Sequence, residues 1–507
     1  MNVELGRFYD EYKPFRNFMR RLDLDTSLLD VWHYANYVME DILLPDHYAV
    51  DRGAYRSSSV KSLIHPWELD VIAKEVILNA GSGGDRCLAK WIDLATAVNH
   101  VRRLDEVAFE LSVDKERDVL IELHRLAHHQ FPWQMALSVN PFMRAFKIYG
   151  TPEVDAIITR ELGMTMSDLI RLGMAVAGGF RTRPVISTMQ DYTVLGISAE
   201  TSRAFFSRLS IDIRSLKEAT QGRQSYDRDW RFSWNPLEGK PLIGVDAARP
   251  DLLVCPIPRH FLRRVTSGVY YDIVNAAGFQ NPFGNSFQAY IGAVLEVACP
   301  QPPFSIVPEK PYYVGGNLHH GADWIVSDGG GHIFIECKTK RLRLDAKTRS
   351  DTKALEEDIA VLAKAIAQHY RNISEAVAGK TDWSPDGLPI YPLILTMEDW
   401  FIFSPQVDQM LNSEVKRLLC KDGLDLSLLD EMPFTIASAH EFEIGIQIIA
   451  EVGIAKVMAI KTRGEHRTWG LVAVLASAYS NEIKRVNWAL FGDDLQRLVI
   501  PAGRIHL

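Results

Sequence analysis

Residues 323–338, DWIVSDGGGHIFIECK, constrain the fold more tightly than any other stretch of the chain. Two apolar-alternating runs, Asp323–Ser327 and His332–Lys338, flank Asp328-Gly329-Gly330-Gly331. Such a glycine cluster supplies the positive φ angles of a tight hairpin turn, so the runs are expected to pair antiparallel. With Gly329-Gly330 as a two-residue loop, Asp328 faces Gly331, and counting back along both strands sets Asp323 opposite Glu336. A four-residue loop keeps that register. Opposed residues share a face, with Cβ atoms roughly 4.5–5.5 Å apart, and the two-residue side-chain period adds Lys338 to it. Trp324, Val326, Ile333, Ile335 and Cys337 point the other way and can bury against a core.

Two converging carboxylates suit a hard cation such as Mg²⁺, which prefers oxygen ligands and keeps several waters. The cation can polarise a phosphoryl oxygen and lower the pKa of bound water, while Lys338 offsets phosphate charge or orients the attacking water. An acid, a turn and Glu336-Cys337-Lys338 on the next strand resemble the PD-(D/E)xK superfamily of restriction-endonuclease-like phosphodiesterases, with Ala322 where the signature proline would stand. The resemblance spans roughly residues 280–445. It implies a Mg²⁺-dependent nuclease, with Mn²⁺ as a substitute, in which Asp323 and Glu336 bind the metal, the Cys337 carbonyl is a third ligand and Lys338 is the catalytic cation. The family's preceding helix often supplies a glutamate; Gln288 occupies that position, with Glu296 two turns on as a substitute. Gln368, on a helix expected over Thr352–Ile373, resembles the glutamine that many members place near the scissile phosphate. The bland alternative for Glu-x-Lys is the solvated edge of an exposed strand.

At 507 residues the chain exceeds the reach of one hydrophobic core, so two or three domains are expected. Residues 1–230 read as helices joined by short polar breaks, with no convincing strand run, and form an all-α N-terminal recognition or regulatory domain. Ser112 or Asp114 serves as N-cap for a helix from Lys115, and Thr151 for one from Pro152. His124 and His128 stand four apart on a helix but lack a third ligand, which favours a packed or surface pair. Ser225–Trp234, polar and aromatic without a helix period, is the expected main linker. Residues 231–450 are then an α/β nuclease domain with a mixed central sheet, entered by a helix that Asn285 and Gln288 open as a capping box. Residues 451–507 are a C-terminal helical extension.

The net charge of −8 excludes a wholly basic surface, so polyanion binding must use local patches. From Gly331 to Ser350, Lys338, Lys340, Arg341, Arg343, Lys347 and Arg349 face only Glu336 and Asp345, which marks Lys340, Arg341, Arg343, Lys347 and Arg349 as phosphate contacts. Five widely spaced cysteines without a C-x-x-C pair suit a reducing cytoplasm, and no apolar run is long enough for a bilayer. The expected protein is a cytoplasmic nuclease acting on nucleic acid, DNA rather than RNA, with a protein partner or second copy engaged through its helical domain. That layout resembles stand-alone bacterial defence nucleases. The rival is an inert nuclease fold used as a nucleic-acid-binding or assembly scaffold.

Overall fold

A computed structural model describes residues 3–48, 61–111, 115–134 and 139–499. Helices Val3–Met19, Leu24–Glu40, Pro66–Asn79 and Trp91–Glu110 surround a core that includes Phe8, Tyr12, Leu28, Leu69 and Val98. Pro66 opens its helix where a missing N–H is harmless, and Glu68 reaches back to accept the His65 N–H at 2.8 Å. Ser112 and Asp114 lie outside the described residues. Pro152 does start a helix, preceded by Thr151 in extended conformation.

The segment Ser225–Trp234 is not a linker. Trp230 enters the N-terminal core fully buried, lies within ring-contact distance of Phe8, Tyr12 and Phe15, and donates its indole N–H to Glu75 Oε1 at 3.0 Å. One buried tryptophan in a polar stretch leaves no periodicity, yet its area and its polar N–H tie the segment down. Strands also occur before residue 230. β1 (Val185–Ser187) and β2 (Ser210–Asp212) join β3 (Leu242–Gly244) and β4 (Leu252–Val254) in a sheet of order β1-β4-β3-β2. Three-residue strands are too short to show alternation in sequence.

The larger sheet is mixed. Its strands are β5 (Ser305–Pro308), β8 (Trp324–Asp328), β9 (Gly331–Lys338), β10 (Ile390–Thr396) and β11 (Thr435–Ser438), in the order β11-β10-β9-β8-β5. The β5–β8 and β8–β9 pairs are antiparallel, whereas β9–β10 and β10–β11 are parallel. A small hairpin, β6 (Tyr312–Val314) with β7 (Asn317–His319), stands between β5 and β8 in the chain. Alternation sends Val326, Ile333, Ile335, Leu393 and Ala437 into one core, and Ile325, Phe334 and Ile394 toward the opposite layer. The Lys353–Val377 helix covers that second face through Ile359, Leu362, Ile366, Tyr370 and Ile373. Helices Gln280–Ala298 and Ala439–Val452 cover the first. Arg144 pairs with both oxygens of the buried Glu443 at 2.6 and 2.8 Å, and the Tyr290 hydroxyl donates to the same carboxylate at 2.5 Å, joining three helices.

Helices beyond residue 450, expected as an extension, are part of this packing: Ile454, Val457, Met458, Leu471 and Leu475 share the core of the first sheet face. The Gln280–Ala298 helix begins five residues before Asn285, so Asn285 is an exposed interior position and not a cap. Phe279 and Phe283 explain the earlier start, since both are buried and Phe283 stacks on Tyr149.

The β8–β9 register is the expected one, with Asp328 facing Gly331 and Trp324 facing Ile335. The turn reaches it differently. Neither Gly329 nor Gly330 adopts positive φ; Asp328 Oδ1 accepts the Gly330 and Gly331 N–H groups at 2.7 and 3.0 Å, and its Oδ2 accepts Ile454 N–H at 2.8 Å. Space is tight at two of the three glycines: a Cβ on Gly330 would lie 3.3 Å from Ala455, and one on Gly331 3.1 Å from the Pro389 carbonyl.

Candidate active site

Pairing carries carboxylates across three strands. Pro308 faces Trp324, so Glu309 follows β5 opposite Asp323, whose carbonyl accepts the Glu309 N–H at 2.9 Å. Continuing the β8–β9 register sets Asp323 opposite Glu336. Asp323 Oδ2 accepts the Cys337 N–H at 2.6 Å, and the Lys338 ammonium donates to Glu336 Oε1 at 2.5 Å. The structure therefore gathers Asp323, Glu336, Lys338 and the Cys337 main chain at the end of β9. Sequence reasoning missed Glu309, which follows a strand of only four residues ending in proline and offers little alternation to read.

A second missed residue is His369. It lies three residues after Ile366 and four before Ile373 on the buried stripe of the Lys353–Val377 helix, and that position is the only hint the sequence carries. Its Nε2 is 3.0 Å from the Phe334 carbonyl oxygen, which can only accept, so Nε2 carries a proton. Nδ1 stands 3.6 Å from Glu336 Oε2, too far for a hydrogen bond, and both atoms are buried without a hydrogen-bond partner. The expected residue of this helix, Gln368, is exposed and faces away from the sheet one residue earlier.

The electrostatics separate the two central acids. Burial, then the charge of Glu336, pushes the Asp323 carboxyl up to about 7. Burial pushes Glu336 up as well, but His369 and Lys338 outweigh it and hold that group below its usual range. Burial opposes the charge on Lys338, yet Glu336 wins and holds the ammonium above its ordinary value. Glu336 is thus the acid held as carboxylate, Lys338 keeps its charge, and Asp323 is the acid that more readily holds a proton.

The donors present fit a hard cation. Glu336 Oε2 has an unused lone pair, and Asp323 is a raised-pKa carboxylate from which a cation can displace a proton. The N–H and C=O of one strand residue point to the same edge, so the Cys337 carbonyl faces the Asp323 side as its N–H does. Among the described residues no group of three or more His, Cys, Asp or Glu side chains is placed to hold a metal ion. Two carboxylates, one carbonyl and water suit Mg²⁺ better than zinc, which wants nitrogen and sulfur.

The remaining candidates divide. Gln288 is at the site's edge, donating to Glu309 Oε2 at 3.4 Å. Glu296 is exposed two turns further on, with no bond to the site. The cations of the basic run after β9 stand in ion pairs, and Arg343 and Arg349 stay partly exposed. Arg341 is buried against Glu398 at 2.8 Å and Tyr149, and Lys347 meets the same Glu398 at 3.1 Å. Lys340 and Arg343 pair with the buried Asp358 at 2.9 and 3.0 Å, and Arg349 lies 3.9 Å from Asp229 and 3.6 Å from Asp345. The local excess of charge is neutralised by acids distant in sequence. His124 is buried and His128 half-buried, their rings 4.6 Å apart, and burial pushes both imidazoles below their ordinary pKa. No protein-family model, no curated protein and no solved structure matches the chain, so the reading of its site rests on this geometry alone.

Proposed function

We propose that the chain is a Mg²⁺-dependent phosphodiesterase of the PD-(D/E)xK kind that cleaves nucleic acid, DNA being the first substrate to test, and that it works in the cytoplasm with all five cysteines free. One observation carries the reading: Asp323 and Glu336 face each other across a hairpin, with Lys338 bonded to Glu336 on the same face. A solvated strand edge would not be built this way, because Glu336 is buried and sits beside a buried histidine.

In this reading Asp323 and Glu336 hold the cation and the Cys337 carbonyl completes the protein's share. A bound Mg²⁺ supplies Lewis acidity toward a phosphoryl oxygen and a more acidic water. Lys338, partly exposed, presents its ammonium to phosphate charge that grows in the transition state. His369 helps keep Glu336 ionised, and Glu309 adds negative charge that draws a cation to Asp323 while also raising that carboxyl. Helices on both sheet faces hold these groups rigidly.

The test is an assay of the purified protein on supercoiled, linear and single-stranded DNA and on RNA, with Mg²⁺, Mn²⁺ or EDTA. Cleavage should require the metal and vanish in Asp323→Ala and Glu336→Ala. Lys338→Ala should lose turnover while keeping DNA affinity. Undiminished cutting by Glu336→Ala, or by wild type in EDTA, would overturn the assignment; wild type that binds nucleic acid but cuts none would make the fold a scaffold.

A further inference from the structure

A cavity of about 1060 Å³ lies between the helical layer and the carboxyl ends of the parallel strands. Its walls come from helices Pro66–Asn79, Lys115–Gln134, Asn140–Tyr149 and Pro258–Arg264, the 397–401 segment after β10, and the loop that leaves β9 at Lys340. Thirteen Lys and Arg residues line it against five Asp and Glu. Acids satisfy many of these cations: Glu398 takes Arg341 and Lys347, and Asp272 takes Arg264. Asp70 is occupied by His260 at 2.6 Å and Asn235 at 2.7 Å.

Four cations have no carboxylate within ion-pair distance among the described residues. Lys74, 2% exposed, reaches only the Trp230 and Ser233 carbonyls, at 3.3 and 3.2 Å. Lys240 reaches the Arg208 carbonyl at 2.6 Å. Arg263 lies 4.6 Å from the ring of Trp133 and keeps a buried guanidinium nitrogen with no hydrogen-bond acceptor. Arg223 stands at the rim, 4.5 Å from Trp234. Burial pushes both Lys74 and Arg263 below their ordinary pKa values, against the opposing charges of Glu75, Asp70 and Glu238 near Lys74 and of Glu238, Asp70 and Glu398 near Arg263.

We infer that this cavity is a binding site for a small phosphate-bearing anion of nucleotide size. Lys240, Arg263 and the rim Arg223 take the phosphates, with buried Lys74 adding positive charge behind the wall, and Trp234 and the exposed Tyr271 offer faces for a planar group. The volume is at the upper end for small-ligand sites, roughly 300–1,000 Å³. A nucleic-acid substrate does not explain it. Its scissile phosphate must reach Asp323, Glu336 and Lys338, and none of these lines the cavity. Lys74 is also far too buried for a duplex to touch. The site does abut the catalytic strand, since the Lys340–Leu344 loop that walls it begins two residues beyond Lys338.

The experiment is isothermal titration of the full chain, without divalent metal, by ATP, tripolyphosphate, adenosine and a single-stranded DNA 20-mer. ATP and tripolyphosphate should bind, adenosine should not, and affinity should fall roughly tenfold or more in Arg263→Gln, a loss of about 1.4 kcal/mol per decade. Arg223→Gln, at the exposed rim, gives the same direction without threatening the fold. Lys338→Ala should bind as wild type does, which keeps this result separate from the nuclease assignment. The inference is overturned by no heat below millimolar ATP or tripolyphosphate, by affinities unchanged in both arginine variants, or by binding of the DNA alone.

Discussion

Asp323→Asn should abolish cleavage and yet stabilise the metal-free protein at alkaline pH. The Asp323 carboxyl is pushed from its ordinary 3.8 to about 7, by burial first and Glu336 second. At 1.36 kcal/mol per pKa unit that is ~4 kcal/mol for a fully shielded group, and partial exposure of Asp323 to solvent cuts it to about 2 kcal/mol. A carboxyl whose folded pKa is raised contributes stability that is complete below its unfolded pKa and is lost as pH rises through the folded value. Wild type in EDTA should therefore weaken between pH 5 and pH 8, while the amide, which cannot ionise, should not. Asn can still accept the Cys337 N–H that Asp323 accepts. Urea unfolding in EDTA at the two pH values measures the difference: about 2 kcal/mol in favour of the variant at pH 8 and much less at pH 5. Saturating Mg²⁺ should reverse the order at pH 8 by stabilising wild type alone. A variant no more stable than wild type at pH 8, or equally favoured at both, would refute the raised pKa of the buried Asp323 carboxyl.

Four shorter tests bear on neighbouring residues. His369→Ala should reduce turnover, whereas Gln368→Ala, one position away and exposed, should cleave at the wild-type rate. Glu309→Gln removes a charge beside Asp323, so metal affinity from Mn²⁺ titration should weaken and the pH at which activity rises should fall. Gly292→Ala should destabilise by about 1–3 kcal/mol in denaturant melts, because its Cβ would meet the Trp324 ring at 2.3 Å where the helix lies on β8. Glu398, held down to about 2 by Arg341 and Lys347, contributes stability that is lost as pH falls from about 4.5 toward 2; Glu398→Gln should flatten that acid limb.

What could be read in advance was local. The alternation on either side of Asp328-Gly329-Gly330-Gly331 gave the hairpin register, and with it Asp323 opposite Glu336, since both strands and their turn lie within sixteen residues. The helix over Lys353–Val377 was likewise visible in its own apolar period. What failed depended on partners distant in sequence. The basic run looked unpaired because Glu398, Asp358 and Asp229 reach it only through the fold. Ser225–Trp234 looked like a linker because a single tryptophan carries no pattern, although its burial anchors the segment. His369 and Glu309 were overlooked for the same reason: each joins the site through strand order or helix docking, and neither belongs to a spaced motif.

The register that aligns Asp323 with Glu336 also fixes when the site assembles. The two acids are thirteen residues apart, so the hairpin closes them early, whereas β10 and the Lys353–Val377 helix must return over longer loops. Two anions therefore meet before the histidine has docked, with only Lys338 of the same strand to offset them. If the hairpin closes first, the residual repulsion between Asp323 and Glu336 slows it, so divalent cations or mild acid should speed refolding of wild type, an acceleration that Asp323→Asn should not show.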